Sequence, residues 1–165
     1  MYKHILVPTD GSELSRAATS GAMRLARALG ARVTGCHVIP ARPVTALEAW
    51  VRGSPESASR LEALFKQNAE RYLAEILDCA HAAGVRCKCL HVAGAQVYTE
   101  IIRAAIARRC DLIYMASHGK KGTSDVILGS ETVKVLTHSP IPVLVHRSRT
   151  NARRAPPRAR ARRQS

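Results

Sequence analysis

The chain has 165 residues, 46% of them hydrophobic and 23% charged, with a formal net charge of +14. This length and composition are typical of a single folded globular domain. No apolar run approaches the roughly 20 residues of a membrane-spanning helix, and the apolar stretch near the N-terminus is shorter than a secretory signal, so we expect a cytoplasmic protein without a membrane segment.

Hydrophobic periodicity predicts short strands alternating with helices. Apolar runs bounded by turn residues predict strands over residues 3–8, 31–39, 85–92, 112–115 and 142–145. Apolar side chains at helical spacing predict helices over residues 14–29, 54–84, 97–106 and 130–138. The third strand alternates charged and apolar residues, which is typical of a sheet edge. The whole pattern predicts an α/β fold, an open and mostly parallel five-stranded sheet with helices on both faces.

Two loops follow predicted strands, at the sheet end where open α/β sheets bind ligands. The first loop is Pro8–Ser12, and the second runs from Ala116 to Ser130. Asp10 in the first loop is interpreted either as the N-cap of the next helix or as a ligand-binding side chain. Ser12 has no evident base partner, so we expect no nucleophilic role for it.

The second loop has the ingredients of a phosphate site. Gly119 allows close backbone approach because it has no Cβ, and Gly129-Ser130 opens a helix whose free N–H groups attract an anion. Ser130 is predicted to cap this helix or to donate its hydroxyl, and the neighbouring pair Lys120-Lys121 adds positive charge. A purely structural loop with a capped helix accounts for much of the same pattern. The sequence contains neither a P-loop nor G-x-G-x-x-G after the first strand, so P-loop hydrolysis and dinucleotide chemistry lack their usual parts.

The span from Tyr2 to Arg147 resembles a universal stress protein domain. The resemblance is carried by KHILVPTDGS at residues 3–12, by CHV at 36–38, by ASHG at 116–119 followed by nine residues and Gly129-Ser130, and by the segment 134–145. The ATP-binding branch of that family carries G-x-x-G-x9-G-[ST], whose first glycine is replaced here by Ala116. The resemblance implies a Rossmann-like fold of the adenine nucleotide alpha-hydrolase type that binds ATP, AMP or ADP, with Mg²⁺ as a further expected component.

The same resemblance implies a set of site residues drawn from both loops. Pro8, Asp10 and Val38 would face the adenine and ribose, with Thr9 beside them and Val38 contributing its backbone. The residues implied to surround the ribose and phosphates are Ala116, Ser117, His118, Gly119, Lys120, Lys121 and Gly122, and those at the phosphate-binding helix start are Gly129, Ser130, Glu131 and Thr132. We interpret His118 as a phosphate-positioning residue rather than an acid or base, and His37 as strand packing.

The five cysteines are an odd number without the spacing of a disulfide framework, which fits a reducing compartment. Cys87-x-Cys89 has the residues of a soft-metal pair, but in a strand the two sulfurs would simply share a face. No second pair or acidic cluster completes a metal site, so the sequence favours structural thiols and no bound metal.

The positive charge is concentrated in the C-terminal segment. Eight arginines and no acidic residue lie in residues 147–165; without them the 26 basic residues fall to 18 against 12 acidic ones, a net charge of +6. Residues 148–165 lack large apolar side chains, which predicts a disordered tail after a domain of residues 1–147. We expect the tail either to bind polyanions weakly or to have no binding role.

The predicted last strand, Val143–Val145, would leave an apolar edge exposed unless it is paired. The resemblance implies a homodimer that pairs this strand with its copy. It also implies a sensor or adaptor without catalytic residues and with at most slow ATP hydrolysis. The alternatives are a nucleotide-free member of the same family that acts through protein contacts and a polyanion-binding protein that acts through its tail.

Overall fold

A single parallel sheet forms the centre of the computed structural model, which describes residues 1–41, 53, 55–119 and 128–147 and, at 55–57, the backbone alone. Its strands are β1 (His4–Pro8), β2 (Arg32–Pro40), β3 (Cys87–Gly94), β4 (Leu112–Ala116) and β5 (Val143–His146). The described helices are α1 (Glu13–Leu29), α2 (Pro55–Ala83), α3 (Val97–Ala107) and α4 (Ser130–His138). The order β3-β2-β1-β4-β5, with every pair parallel, confirms the predicted fold class.

The helices cover both faces of the sheet, and each face has its own apolar core. The α1 and α2 side packs around Ile5, Met23 and Ile76, whereas the α3 and α4 side packs around Leu6 and Ile113. Alternate residues of β1 therefore belong to opposite cores, as the two-residue period of a strand requires. This is why the central strands read as continuous apolar runs in the sequence.

The third strand begins two residues later than the sequence predicted. The N–H of Val85 donates to the carbonyl of Ala80 at 2.9 Å, and Gly84 has a left-handed φ of 67°. Val85 thus belongs to the turn that ends α2, and the strand starts only at Cys87. The prediction that β3 is an edge strand is confirmed by the strand order.

The strand order reverses between β1 and β4. From β1 the chain builds β2 and β3 on one side and then crosses to β4 and β5 on the other. At such a reversal the loops after the two adjacent strands diverge and leave a crevice at their carboxyl ends. The two loops singled out from the sequence follow β1 and β4, so the topology places both at this crevice. Within the described residues, no helix combines the length and the apolar character needed to cross a membrane.

The predicted tail, residues 148–165, lies outside the described part of the chain, as does most of the long loop after β4.

Candidate functional site

A cleft of about 1040 Å³ opens at the carboxyl end of the sheet, above β1, β2 and β4. Eleven residues predicted from the sequence line it: Pro8, Thr9, Asp10, Val38, Ala116, His118, Gly119, Gly129, Ser130, Glu131 and Thr132. Ser117 does not line the cleft, because it is buried to 3% exposure beneath the loop. Lys120, Lys121 and Gly122 fall outside the described residues. Most of the predicted set is therefore brought together.

The loop after β1 is held by its own side chains. The Asp10 carboxylate accepts from the Ser12 N–H at 3.0 Å, and the Thr9 hydroxyl accepts from the Gly11 N–H at 3.1 Å. The N-cap of α1 is Ser12, whose hydroxyl accepts from the Ser15 N–H at 3.2 Å. The interpretation of Asp10 as the N-cap is therefore wrong, because Ser12 takes that position and Asp10 stabilises the turn before it. Its other oxygen, Oδ2, lies close to Gly119 of the second loop.

The two loops touch where Asp10 meets Gly119. A Cβ placed on Gly119 would collide with Asp10 Oδ2 and would lie 3.3 Å from its carboxyl carbon. Gly119 thus allows the backbone of the second loop to pass directly over the Asp10 carboxylate. Any side chain at this position would push that carboxylate out of its present place.

Hydrogen bonds close the base of the loop after β4. The Gly129 N–H donates to the Ser117 carbonyl at 2.8 Å, and the Thr132 hydroxyl donates to the Ala116 carbonyl at 3.1 Å. A Cβ on Gly129 would lie 3.0 Å from the Cα of His118, so the closure requires glycine. Gly129 is itself the N-cap of α4 and Ser130 is the first helical residue. The prediction that Ser130 caps this helix is wrong, and the start of α4 faces the cleft without a side-chain cap from residue 129.

Glu131 turns away from the start of its own helix. Its Oε2 accepts from the Tyr98 N–H at 2.9 Å, and its Oε1 accepts from the Lys134 ammonium at 2.9 Å. The carboxylate therefore caps α3, whose N-cap residue Gln96 makes no side-chain capping bond. Two donors share its negative charge, which reduces its repulsion toward an anion at the start of α4.

Aromatic rings that were not predicted as site residues also line the cleft, among them those of His37, Tyr72, Tyr98 and His138. The His37 Nδ1–H donates a hydrogen bond to the Thr9 carbonyl at 2.7 Å. The same ring packs edge-on against Tyr72, with ring centroids 5.3 Å apart. On the opposite wall, the Tyr98 ring lies 5.2 Å from that of His138. The interpretation of His37 as strand packing is therefore incomplete, because the ring also forms part of the cleft wall.

The cleft is apolar on one side and polar on the other. Val38, Ile101 and Met115 provide apolar surface, while Asp10 and the start of α4 provide hydrogen-bonding groups. Cys36 also reaches the lining, but burial raises the pKa of its thiol to about 12, so it is not a nucleophile at neutral pH. Among the described residues, no three His, Cys, Asp or Glu side chains are grouped as metal ligands. The arrangement is suited to holding a molecule that has both an apolar ring and an anionic group.

Comparison with known proteins places the chain in a family. The model of the universal stress protein family matches residues 1–147, and the chain belongs to that family. It is 32% identical over 145 residues to the universal stress protein MJ0531 of Methanocaldococcus jannaschii, which covers 88% of this chain and 82% of the relative.

Solved structures show the same fold. The structure of the protein MJ0577 from Methanocaldococcus jannaschii superposes with a TM-score of 0.74 at 29% identity, covering 90% of this chain and 99% of the other. A universal stress protein in complex with cAMP has a TM-score of 0.66 at 24% identity, covering 88% and 97%. A family member from Arabidopsis thaliana with AMP bound has a TM-score of 0.62 at 17% identity, covering 87% and 90%.

Proposed function

We propose that this universal stress protein binds an adenine nucleotide in the cleft between the two loops and acts as a sensor or adaptor in the stress response. The observation that carries the proposal is the contact between Gly119 and Asp10, beside the start of α4, where the N-cap residue Gly129 has no capping side chain. It combines a backbone free of side-chain obstruction, a carboxylate and a group of helix N–H donors within one cleft. A ribose phosphate can use this combination, because its hydroxyls donate to a carboxylate and its phosphate accepts from helix N–H groups.

The chemistry of the walls assigns the parts of the nucleotide. Val38 and Met115 offer apolar surface to a flat base, and Asp10 offers a carboxylate that accepts from ribose hydroxyls. The N-terminal end of α4, at Ser130 and Thr132, attracts phosphate through the N–H groups of its first turn and the helix dipole. The engagement of Glu131 by Tyr98 and Lys134 supports this placement, because it takes the one acidic side chain of that turn away from the phosphates.

The bound forms of related proteins support the same ligand class. Members of this fold have been solved with cAMP and with AMP bound. The volume of about 1040 Å³ is at the upper end for ligand clefts, so it accommodates ATP as well as a monophosphate. We propose ATP as the ligand, with ADP and AMP as the alternatives. Mg²⁺ would then be held mainly by the phosphates and water, as is usual for this ion.

We expect at most slow hydrolysis of a bound nucleotide. The Glu131 carboxylate is engaged as a cap, and the Cys36 thiol has a raised pKa. Neither group is in a state to activate water or attack phosphorus. We further propose that the protein works in the cytoplasm, where free thiols such as those of its cysteines persist.

We also propose a homodimer formed through the edge strand β5. This strand has β4 as its only neighbour in the described sheet, and Leu144 is 37% exposed on it. Pairing of Val143–Val145 with a second copy would cover this edge. We expect solution scattering at micromolar concentration to give twice the mass of one 17.9 kDa chain, and a monomer mass would contradict the proposal.

The arginine-rich segment 148–165 supports a second candidate function, weak polyanion binding. Its charge predicts that deleting residues 148–165 will remove a steep salt dependence of duplex DNA binding, in which log K falls by about 0.9 per phosphate contact for each tenfold rise in salt. Nucleotide affinity should stay unchanged in the truncated protein, since every described residue that lines the cleft precedes residue 147. If the full-length chain shows no salt-dependent DNA binding, this candidate function is dismissed.

Mass spectrometry of the small molecules released by denaturing the purified protein tests the leading proposal. An adenine nucleotide at a stoichiometric level in the tail-deleted protein is the expected result. A cleft that releases no nucleotide, and binds none when ATP, ADP or AMP is added, would favour the alternative in which the protein acts through protein contacts alone.

A further inference from the structure

Two cysteines lie side by side on the edge strand β3, away from the cleft. Cys87 and Cys89 are two residues apart, so their side chains point to the same face of the sheet. Both are half-buried and pack against the margin of the core formed by α1 and α2. Lys88 between them is exposed. The two thiols are therefore neighbours at the boundary between core and solvent.

The surrounding backbone leaves room for sulfur at this point. A Cβ on Gly35 of the adjacent strand β2 would lie 2.7 Å from the Cys89 sulfur, so the sulfur occupies space that another residue would fill. The Cys89 thiol also donates to the Leu73 carbonyl of α2 at 3.6 Å. These contacts fix the position of Cys89, whereas the Cys87 thiol donates to the carbonyl of its neighbour Lys88 at 3.6 Å.

The two thiols interact with each other. Their side chains are within reach of each other. Cys36 and Cys110, by contrast, are buried in the core on the opposite face of the sheet. The pair on β3 thus differs from the core cysteines, because its two sulfurs lie together at the boundary with solvent.

The strand geometry favours a metal ion between the two sulfurs rather than a disulfide bond. Residues two apart in a strand are separated by roughly 6.6 Å, and their Cβ atoms by a similar distance. A disulfide needs Cβ atoms about 3.5–4.5 Å apart, so it would require the strand to bend. A single metal ion with metal–sulfur bonds of about 2.3 Å spans two sulfurs up to about 4.6 Å apart, and two cysteines on one face of a strand reach this separation when both turn inward about χ1.

We propose that Cys87 and Cys89 form a two-coordinate site for a soft monovalent metal ion, Cu(I), at the exposed edge of the sheet. Binding converts two thiols and one Cu(I) ion into a bis-thiolate complex with one negative charge and releases two protons. No redox step is involved. Because the described residues contain no group of three or more His, Cys, Asp or Glu ligands, this site does not meet the tetrahedral preference of Zn²⁺. Thiolate ligands in a low coordination number suit Cu(I) instead.

The sequence alone favoured structural thiols because no second cysteine pair completes a four-ligand site. That argument applies to tetrahedral metals and does not address a two-coordinate ion. The additional information in the structure is the half-exposed position of the pair, the space provided by Gly35 and the interaction of the two thiols. The site is independent of the nucleotide proposal, since neither cysteine lines the cleft.

An anaerobic titration of the full-length protein with Cu(I), against a chromophoric Cu(I) chelator, tests the site. We expect one Cu(I) ion to be retained per chain, with an affinity at least 10-fold lower in Cys87→Ser and in Cys89→Ser. The matched control is Cys79→Ser, a half-buried cysteine of α2 at the margin of the same core, which should retain Cu(I) as the unaltered protein does.

A second measurement needs no variant and so does not depend on whether the variants fold. One equivalent of Cu(I) should protect Cys87 and Cys89 from alkylation by iodoacetamide while leaving the modification of Cys79 unchanged, as read by peptide mass mapping. The proposal is overturned if the unaltered protein retains no Cu(I) against the chelator, if both serine variants retain it as well as the unaltered protein, or if Cu(I) protects Cys79 and not the pair.

Discussion

Replacing Gly119 by alanine should weaken nucleotide binding by at least about 100-fold, which corresponds to roughly 2.7 kcal/mol, while leaving the fold intact. The added methyl group would collide with Asp10 Oδ2. That carboxylate is the far end of a side chain, so it would move aside at little cost to stability. It would then no longer be placed to accept from the ribose, and the methyl group would occupy space that the ligand needs.

Titration calorimetry with ATP, together with a thermal unfolding curve, separates binding from folding. Gly30→Ala is the matched control, because Gly30 lies at the opposite end of the sheet and a Cβ there would have no neighbour within 4 Å. Gly30 has a φ of 63°, so alanine should lower the Tm there without changing affinity. An unchanged ATP affinity in Gly119→Ala would contradict the placement of the ribose beside Asp10.

Replacing Gly11 by alanine should instead lower the free energy of unfolding by a large amount. Gly11 has a φ of 73°, and a Cβ there would fall within the ring of Tyr72. Backbone strain of this kind costs about 1–3 kcal/mol. Displacing a ring that is only 6% exposed adds to that cost. We expect an overall loss of about 2–4 kcal/mol, which for a chain of this size lowers the Tm by roughly 5–15 °C.

A double-mutant cycle with Tyr72→Ala shows how much of that loss comes from the ring. In the Tyr72→Ala background the Gly11→Ala change should cost only the backbone strain, because the colliding ring is gone. Gly84→Ala measures the cost of backbone strain alone, since Gly84 has a φ of 67° and a Cβ there would have no neighbour within 4 Å. If Gly11→Ala costs the same with and without Tyr72, the packing of this ring over the first loop is not what requires glycine.

The fold could be predicted from the sequence because its central strands have a clear apolar pattern. β1 and β4 are short continuous apolar runs followed by turn residues, a pattern typical of a strand covered on both faces. The start of β3 was harder to predict. Val85 has the apolar character of a strand residue, but its N–H bonds to the last turn of α2. At that point a backbone hydrogen bond to the preceding helix outweighs the local pattern.

The sequence predicted the loop residues of the candidate site but not the residues of its walls. Asp10, Gly119 and Gly129 lie in recognisable segments after two strands, and the topology brings these segments together. Tyr72 comes from the middle of a long helix, where an aromatic residue in an apolar stripe gives no sign that it faces a cleft. The bond between Glu131 and Tyr98 joins residues 33 apart, and no local pattern predicts such a contact.

The capping assignments went wrong for a related reason. Asp10 and Ser130 each have the side chain of an N-cap and lie next to a helix start, but in each case a neighbour takes the position. Ser12 caps α1, and Gly129 precedes α4. Sequence identifies the turn in which a helix starts, whereas the capping residue depends on backbone angles that tertiary contacts set.

The most direct test of the central claim is a calorimetric titration of the tail-deleted protein, residues 1–147, with ATP in the presence and absence of Mg²⁺. The account predicts saturable binding of one ATP per chain at micromolar strength, lost in Gly119→Ala and retained in Gly30→Ala. A flat titration with a protein freed of any co-purified nucleotide would contradict the assignment of the cleft and leave the proposed dimer surface and the tail as the remaining candidates for function.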